Sequence, residues 1–225
     1  GDPGGIRRQG GPLSTPSVAQ TLAQRVAALE SALLPEDLRA TCEDLLIDVG
    51  GLCVAARNSD YMEAVVASVD GGGACTAIGH AGSFSASDAA MINGTAGHGE
   101  DFDDTFEGGP VHSSTVIVPA VFAACERVGR DGRSALLGMT VGIEAMCRLS
   151  MVIPKAIHKS GFHPTAVIGA MGATLAVAKT LRTRDALALA VAERDAQAVQ
   201  LNALKLLDLI TESSTDAIFA KDPVP

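Results

Sequence analysis

Residues 93–112 read Asn-Gly-Thr-Ala-Gly-His-Gly-Glu-Asp-Phe-Asp-Asp-Thr-Phe-Glu-Gly-Gly-Pro-Val-His, and they hold most of the unusual chemistry of the chain. Five acids fall within eight positions and are bracketed by two histidines: Glu100, Asp101, Asp103, Asp104 and Glu107, with His98 and His112. Elsewhere the chain is mostly Ala, Val, Leu and Gly at helical spacing. Such a cluster inside an apolar helical protein indicates a functional site. The alternative is an acidic helix end running into a loop, because Asp and Glu are usually exposed.

Composition limits the classes of protein to consider. The 225 residues suffice for one large or two small domains, and a chain with 47% apolar residues, 24 Gly and no Trp must build its core from small aliphatic side chains. A net charge of −9 without a basic block argues against nucleic acid or an anionic membrane as a partner. The five cysteines are scattered, without a Cys-x-x-Cys pair, which favours reduced core residues over disulfides or a zinc site.

Segment boundaries and location follow from the same composition. No signal peptide opens the chain, and the longest apolar runs, such as residues 165–178, are shorter than the roughly 20 residues of a membrane span. We therefore expect a cytoplasmic protein without a membrane partner. Residues 1–14 are rich in Gly and Pro and are predicted to be disordered. A helical domain is predicted over residues 15–212, followed by a polar tail over 213–225.

The spacing of apolar residues predicts an all-α fold. Predicted helices begin at Thr15-Pro16, Pro35, Tyr61, Ser87, Pro119, Ser134, His163-Pro164 and Arg184. Residues 76–82 are predicted to form a short strand or an extended loop, and residues 155–161 a polar connection. One helix carries a stripe of small residues that would let another backbone approach closely, deep in a helix bundle: Ala166, Gly169, Gly172, Ala173 and Ala176.

The histidines and acids of the cluster suggest acid–base chemistry. If residues 97–105 are helical, one face carries an imidazole, two carboxylates and a hydroxyl, namely His98, Asp101, Asp104 and Thr105. The Gly-Gly-Pro turn would fold His112 back toward them. His163 precedes a helix N-terminus, where free N–H groups favour an anion such as a substrate carboxylate. An imidazole beside a carboxylate suits proton transfer near neutral pH. His80 and His158 receive no role from this reasoning.

A metal-dependent alternative involves the same acids. Asp103-Asp104-Thr-Phe-Glu107 resembles the motif by which all-α terpenoid synthases grip a diphosphate through magnesium. Those enzymes are lined by aromatic residues, whereas only 3% of this chain is aromatic, and the chain has no second Asn/Asp-Ser/Thr-Glu metal motif. A magnesium site at Asp103, Asp104 and Glu107 is therefore kept only as a remote alternative.

Four ordered segments carry a specific resemblance to the MmgE/PrpD family. They are residues 93–105, Val111-His112-Ser, Gly142-Ile-Glu-Ala-Met-Cys-Arg-Leu and Gly161-Phe-His-Pro-Thr-Ala-Val-Ile-Gly-Ala-Met-Gly. The family includes 2-methylcitrate dehydratase, cis-aconitate decarboxylase and iminodisuccinate epimerase. The resemblance implies an all-α domain accompanied by a smaller α/β lid domain, usually in a homodimer. It also implies action on di- and tricarboxylates without a metal or an organic cofactor.

The resemblance also implies roles for particular residues. Asp101, His112 and His163 are the catalytic candidates, and Thr105 would hold a substrate carboxylate, with Asp104 and His98 as further substrate-binding candidates. His112 or His163 would move the proton, while Asp101 would orient the imidazole. The lysine motif that leads into the family's lid has no counterpart in residues 184–225, so this chain is expected to lack the lid. Two functions remain open: a cofactor-independent lyase or isomerase, and a lid-less helical domain for dimerisation with little or no activity.

Overall fold

The computed structural model of the chain describes residues 17–30, 34–152 and 154–181. Helices occupy most of these ranges: α1 (Val18–Ala28), α2 (Glu36–Ala56), α3 (Asp60–Ala67), α4 (Ala86–His98), α5 (Ser114–Val128), α6 (Gly132–Val152), α7 (Ala156–Lys159) and α8 (Pro164–Leu181). No strand occurs there; only two isolated bridges pair Cys75 with Phe84 and Phe106 with Val111. The all-α prediction is confirmed. The predictions for residues 1–14, 184–212 and 213–225 lie outside the described ranges.

The chain divides into two compact units, and residues 26–183 form the unit that contains all the candidate site residues. Its helices begin and end where the local sequence favours it. Ser85 caps α4 by accepting a hydrogen bond from the Asp88 backbone N–H at 3.2 Å, and it donates to the Asp88 carboxylate at 2.6 Å. Gly129, with φ +68°, ends α5 in the left-handed conformation that glycine adopts without steric cost.

Two predicted element boundaries are wrong. Helix α5 begins at Ser114 rather than at Pro119, which lies inside the helix at its sixth position. Pro119 cannot donate to the Thr115 carbonyl, but five buried residues around it show that packing of this helix outweighs the lost bond: Ile117, Val118, Val121, Ala123 and Ala124. The predicted polar connection after Pro154 contains the short helix α7.

The core lies where α5, α6 and α8 pack together, with α2 and α4 completing the bundle around buried Met139, Met146, Ile117 and Ile92. The stripe of small residues on α8 does admit another backbone. A Cβ on Gly172 would lie 3.1 Å from the Gly142 carbonyl oxygen and 2.3 Å from Cγ of Met146. The stripe is not wholly internal, because Ala166 is exposed.

Gly142 offers a test of this crossing. A Cβ there would lie 2.7 Å from Cβ of Ala176 and 2.8 Å from Cδ1 of Ile117. Gly142→Ala is therefore expected to lower the free energy of unfolding by about 1–3 kcal/mol through overpacking. Gly50→Ala, inside α2 with no atom within 4 Å of the new Cβ, is the matched control. It should be neutral or stabilising by up to about 1 kcal/mol. Urea denaturation of both variants measures the difference, and equal shifts would contradict the close approach.

Two further sequence predictions bear on environment. Helices α6 and α8 are long and apolar enough to span a membrane by length and composition, but 56% and 44% of their apolar windows are buried within the protein, as in core helices. The five cysteines are free; Cys42, Cys53, Cys75 and Cys125 are buried, whereas Cys147 is partly exposed. Burial raises the pKa of Cys53 and of Cys147 to about 11, so neither thiol is activated.

Candidate active site

The first part of the site is the C-terminal end of α4. This helix ends at His98, and the predicted continuation of helix to residue 105 is wrong. The backbone turns instead at Asp101, whose φ of 58° lies in the left-handed region that Asp tolerates better than most residues. The Asp101 N–H donates to the His98 carbonyl at 3.0 Å and closes this turn. Asp101 is 77% exposed at its side chain.

The Gly-Gly-Pro segment returns the chain to the same place, as the sequence predicted. The Phe106 N–H donates to the Val111 carbonyl at 3.1 Å, and the intervening residues form a tight loop. The next residue, His112, is held by its backbone N–H, which donates to Oγ1 of Thr165 at 3.0 Å. Since Thr165 belongs to the first turn of α8, this bond joins the returning loop to the helix that follows His163.

Asp103 is the most buried acid of the cluster, with no exposed side-chain surface. His98 Nδ1 lies 3.1 Å from both of its carboxylate oxygens, and the Thr115 hydroxyl donates to Oδ2 at 2.7 Å. His112 Nδ1 lies 3.3 Å from Oδ1, within range of a charge interaction, but it is not aligned for a hydrogen bond and is buried without another partner. One buried carboxylate therefore faces two imidazoles.

Four of the five histidines form a chain of ring contacts. The ring centroids of His98 and His112 lie 4.8 Å apart, and His163 lies 5.8 Å from His98 and 6.2 Å from His112. His158, on α7, contacts His163 at 6.1 Å. Nε2 of His112 is 3.6 Å from Oδ1 of Asp101. The structure thus brings together the predicted residues Asp101, His112, His163 and His98, and it adds His158.

Asp104 and Thr105 occupy different positions from those the helical assumption implied. Asp104 accepts four hydrogen bonds at the start of α5, from the backbone N–H groups and hydroxyls of Ser113 and Ser114. Its carboxylate therefore caps α5. Thr105 is exposed in the loop. The magnesium alternative also loses support, because Asp103 and Asp104 are directed to different partners and Glu107 is exposed.

The environment of His163 favours its neutral form. Partial burial lowers the pKa of this imidazole, and the neighbouring His98, His112 and His158 lower it further, while Asp101 raises it. His163 is therefore predominantly neutral at pH 7 and able to accept a proton, since an ordinary histidine titrates near pH 6.5.

This pKa shift predicts a pH dependence. Because the unfolded chain binds the proton at a higher pH than the folded chain, His163 lowers stability as pH falls below about 6.5 and has no effect above it. An NMR titration of the His163 ring should have its midpoint below that of a free histidine. His158→Gln removes one of the three neighbouring imidazoles and should raise the midpoint, whereas His80→Gln, outside the chain of ring contacts, should leave it unchanged. A midpoint unaffected by His158→Gln would contradict the proposed coupling.

The same residues offer a set of possible metal ligands. His98, Asp101, Asp103 and His112 each place one donor atom so that all four lie within 4.8 Å of one another. Two imidazoles and two carboxylates are a donor set suited to zinc and similar divalent ions. The sequence prediction assigns no metal here, and the hydrogen bonds of Asp103 to His98 and Thr115 account for its position without one.

Sequence reasoning missed two of these residues. Asp103 was considered only as a magnesium ligand, because on a helix it would lie away from His98, and His158 was given no role. The left-handed turn at Asp101 is what redirects Asp103 inward. A usable signal was the short spacing of His158 and His163, five residues apart across a Gly-containing turn.

Comparison with known proteins gives a consistent result. Residues 20–203 match the model of the MmgE/PrpD N-terminal domain. The cis-aconitate decarboxylase of Aspergillus terreus is 31% identical over 159 residues, which is 66% of this chain and 32% of that protein. The human cis-aconitate decarboxylase is 36% identical over 118 residues, 48% of this chain and 24% of that protein. The cis-aconitate decarboxylase-like protein oryM of Aspergillus oryzae is 27% identical over 181 residues, 75% of this chain and 38% of that protein. The chain therefore spans about a third of the length of the curated relatives it matches.

Proposed function

Because the chain belongs to the MmgE/PrpD family, we propose that it performs acid–base chemistry next to a carboxylate of a small di- or tricarboxylate, as a lyase or isomerase. The observation that carries this proposal is the grouping of three imidazoles, His98, His112 and His163, with the carboxylates of Asp101 and Asp103. Such a grouping can both accept and return a proton, as general acid–base catalysis requires.

His163 and His112 are suited to different steps of proton transfer, His163 to accepting a proton and His112 to holding one beside a carboxylate. Partial desolvation and the neighbouring imidazoles lower the pKa of His163, which favours the neutral ring that can act as the base. His112 has Asp101 within 3.6 Å of Nε2, so a proton accepted there would face a carboxylate. We assign His112 and His163 as the proton-transferring pair, with Asp101 stabilising the protonated form of His112.

The same cluster offers a place for substrate carboxylates. The His158 and His163 rings adjoin each other, and Lys155 and Lys159 flank His158 in the chain. His163 also directly precedes the N-terminus of α8, where free backbone N–H groups favour an anion. We place a substrate carboxylate between His163 and this N-terminus. Thr105 remains a proposed substrate-binding residue, whereas Asp104 is assigned to the stability of the α5 N-terminus and not to substrate.

Cis-aconitate is the first substrate to test, because a relative whose alignment covers 66% of this chain is named cis-aconitate decarboxylase. In that reaction the bond to one carboxyl carbon breaks, carbon dioxide leaves, and the electron pair spreads over the adjacent double bond until an imidazolium protonates a carbon. Dehydration of 2-methylcitrate and epimerisation of iminodisuccinate begin instead with removal of a proton from a carbon beside a carboxylate, and an imidazole pair can accept and return that proton. We keep them as alternatives.

The decisive experiment is proton NMR of the chain with cis-aconitate, 2-methylcitrate and iminodisuccinate separately in deuterated water. A product that has lost carbon dioxide indicates decarboxylation, and one that has lost water indicates dehydration. Deuterium uptake into a compound of unchanged composition indicates epimerisation. Parallel samples containing EDTA test the predicted independence from metal, and activity should be the same with and without it. Absence of reaction and of deuterium uptake with all three compounds would count against the proposal for this chain.

A second candidate function is helical association without catalysis. Large apolar side chains are exposed on α8 and at the end of α6: Val167, Met171, Met151 and Val152. Val167 and Met171 are four residues apart and therefore lie on one face of α8, and contiguous exposed apolar surface is typical of interaction sites. A dimer by light scattering together with no turnover would favour this candidate. The five free cysteines, four of them buried, favour a reducing compartment such as the cytoplasm for either function.

A further inference from the structure

Asp103 occupies a place in the site that neither the family match nor the catalytic candidates account for. It has no exposed side-chain surface, yet it lies between the rings of His98 and His112 and accepts a hydrogen bond from Thr115. Its surroundings contain no Lys or Arg partner among the described contacts; the groups that face its oxygens are the two imidazoles and one hydroxyl. A buried carboxylate needs such donors, because burial of an unpaired charge is costly.

We propose that Asp103 is a positioning residue: it accepts the Nδ1–H of both His98 and His112, and so fixes the tautomer in which both rings present Nε2 to the substrate. The catalytic role of this tautomer rests on the proposed function, but the tautomer itself can be measured without turnover. His98 already has Nδ1 at 3.1 Å from both Asp103 oxygens. His112 Nδ1 is 3.3 Å from Oδ1 and needs only a change in ring orientation to align.

The alternative tautomer of His112 is less favourable for a definite reason. With the proton on Nε2, the N–H would lie 3.6 Å from Oδ1 of Asp101, too far for a hydrogen bond, while the Nδ1 lone pair would face the lone pairs of Asp103 at 3.3 Å. Asp101 is 77% exposed, so water can solvate its carboxylate, whereas Nδ1 of His112 is buried without another partner. Leaving a buried polar atom unsatisfied costs more than losing an exposed contact. The buried carboxylate therefore decides the tautomer.

Thr115 on α5 and Gly97 on α4 fix the position of the Asp103 carboxylate. The Thr115 hydroxyl donates to Oδ2 at 2.7 Å and restricts the rotation of the carboxylate. Helix α4 can approach Thr115 because residue 97 is Gly; a Cβ there would lie 3.0 Å from Cγ2 of Thr115. The two imidazoles thus receive a common acceptor whose position is set by α4 and α5, while the exposed Asp101 is left to interact with a proton that arrives at Nε2.

The test is long-range proton–nitrogen NMR of the chain labelled with nitrogen-15 histidine, in alkaline buffer and without substrate. Signals are assigned with the single variants His98→Gln and His112→Gln. We expect both rings of the wild type in the Nδ1–H tautomer, and a shift of one or both toward Nε2–H in Asp103→Asn. Asp101→Asn is the matched control and should leave the tautomer of both rings unchanged.

Three NMR outcomes would overturn the proposal that Asp103 is the shared acceptor. Wild-type rings in the Nε2–H tautomer, or His98 alone in the Nδ1–H tautomer, would reject a shared acceptor, as would an unchanged spectrum in a folded Asp103→Asn variant. If Asp103→Asn does not fold, the wild-type tautomers and the milder variant Thr115→Val decide. Thr115→Val should preserve the Nδ1–H tautomers, because both imidazoles still face Asp103. Loss of these tautomers in Thr115→Val would count against the proposal. A chain with these tautomers but without turnover would refute the proposed function and leave the role of Asp103 intact.

Discussion

Replacing His112 with Gln is expected to lower the rate of proton transfer to the carboxylate substrate by about 10²- to 10⁴-fold, the usual contribution of a general acid or base. His112 is 15% exposed at its side chain, lies between Asp101 and Asp103, and contacts the rings of His98 and His163. Gln retains polarity and approximate length but cannot carry a proton. The measurement is the rate of deuterium uptake or product formation by NMR.

His80→Gln provides the matched control for this substitution. His80 lies on the connection between α3 and α4 and takes no part in the ring contacts of the other four histidines. It should retain wild-type turnover. Because the wild-type rate is measured in the same experiment, turnover of His112→Gln within a few-fold of wild type would reject His112 as the proton-transferring group, whatever the identity of the substrate.

Replacing Asp104 with Ala is expected to have the largest effect on stability, lowering the free energy of unfolding by about 2–3 kcal/mol. A lost helix cap costs about 0.5–2 kcal/mol, and buried groups left without a partner add to that cost. Asp104 accepts from two backbone N–H groups and two hydroxyls, and Ser113 and Ser114 are almost fully buried. Its negative charge also lies at the positive end of α5.

Urea denaturation followed by circular dichroism measures this change, with Glu107→Ala as the matched control. Glu107 is an exposed acid three residues further along the same loop, so its removal changes the net charge equally without removing a cap. Asp104→Asn should fall between the two, because an amide can accept hydrogen bonds but carries no charge. Equal stability of the Asp104→Ala and Glu107→Ala variants would show that the cap does not hold α5.

Several features of the site could be predicted because they depend on neighbouring residues. Pro164 after His163 predicted a helix start there, and α8 does begin at Pro164. The Gly-Gly-Pro segment predicted a reversal that returns His112, and the Phe106–Val111 bridge closes it. The sequence predicted a helix start at Ser87, and α4 begins one residue earlier, at Ala86, with Ser85 as its cap. Each of these signals acts over fewer than about six residues, so no knowledge of distant contacts was needed.

Other features failed because distant contacts override local preference. The stretch after His98 has helical spacing, but α4 ends at His98 and the backbone turns at Asp101. Asp103 consequently faces His98, His112 and Thr115. Helix α5 continues through Pro119 because its flanking residues are buried against neighbouring helices. Tertiary packing routinely outweighs propensity at single residues.

By itself the sequence determined the helical architecture, the close approach of α8 to its neighbour, and the residue types of an acid–histidine site, since all three depend on periodicity, side-chain size and short turns. Only the tertiary structure decided which of the acids contact the histidine rings. Asp103 lies inside the cluster and Asp104 at the cap of α5, although the two are adjacent in the chain and chemically identical. Side chains of consecutive residues in an irregular loop can point in unrelated directions, and the helix ends that receive them are brought together only by the packed bundle.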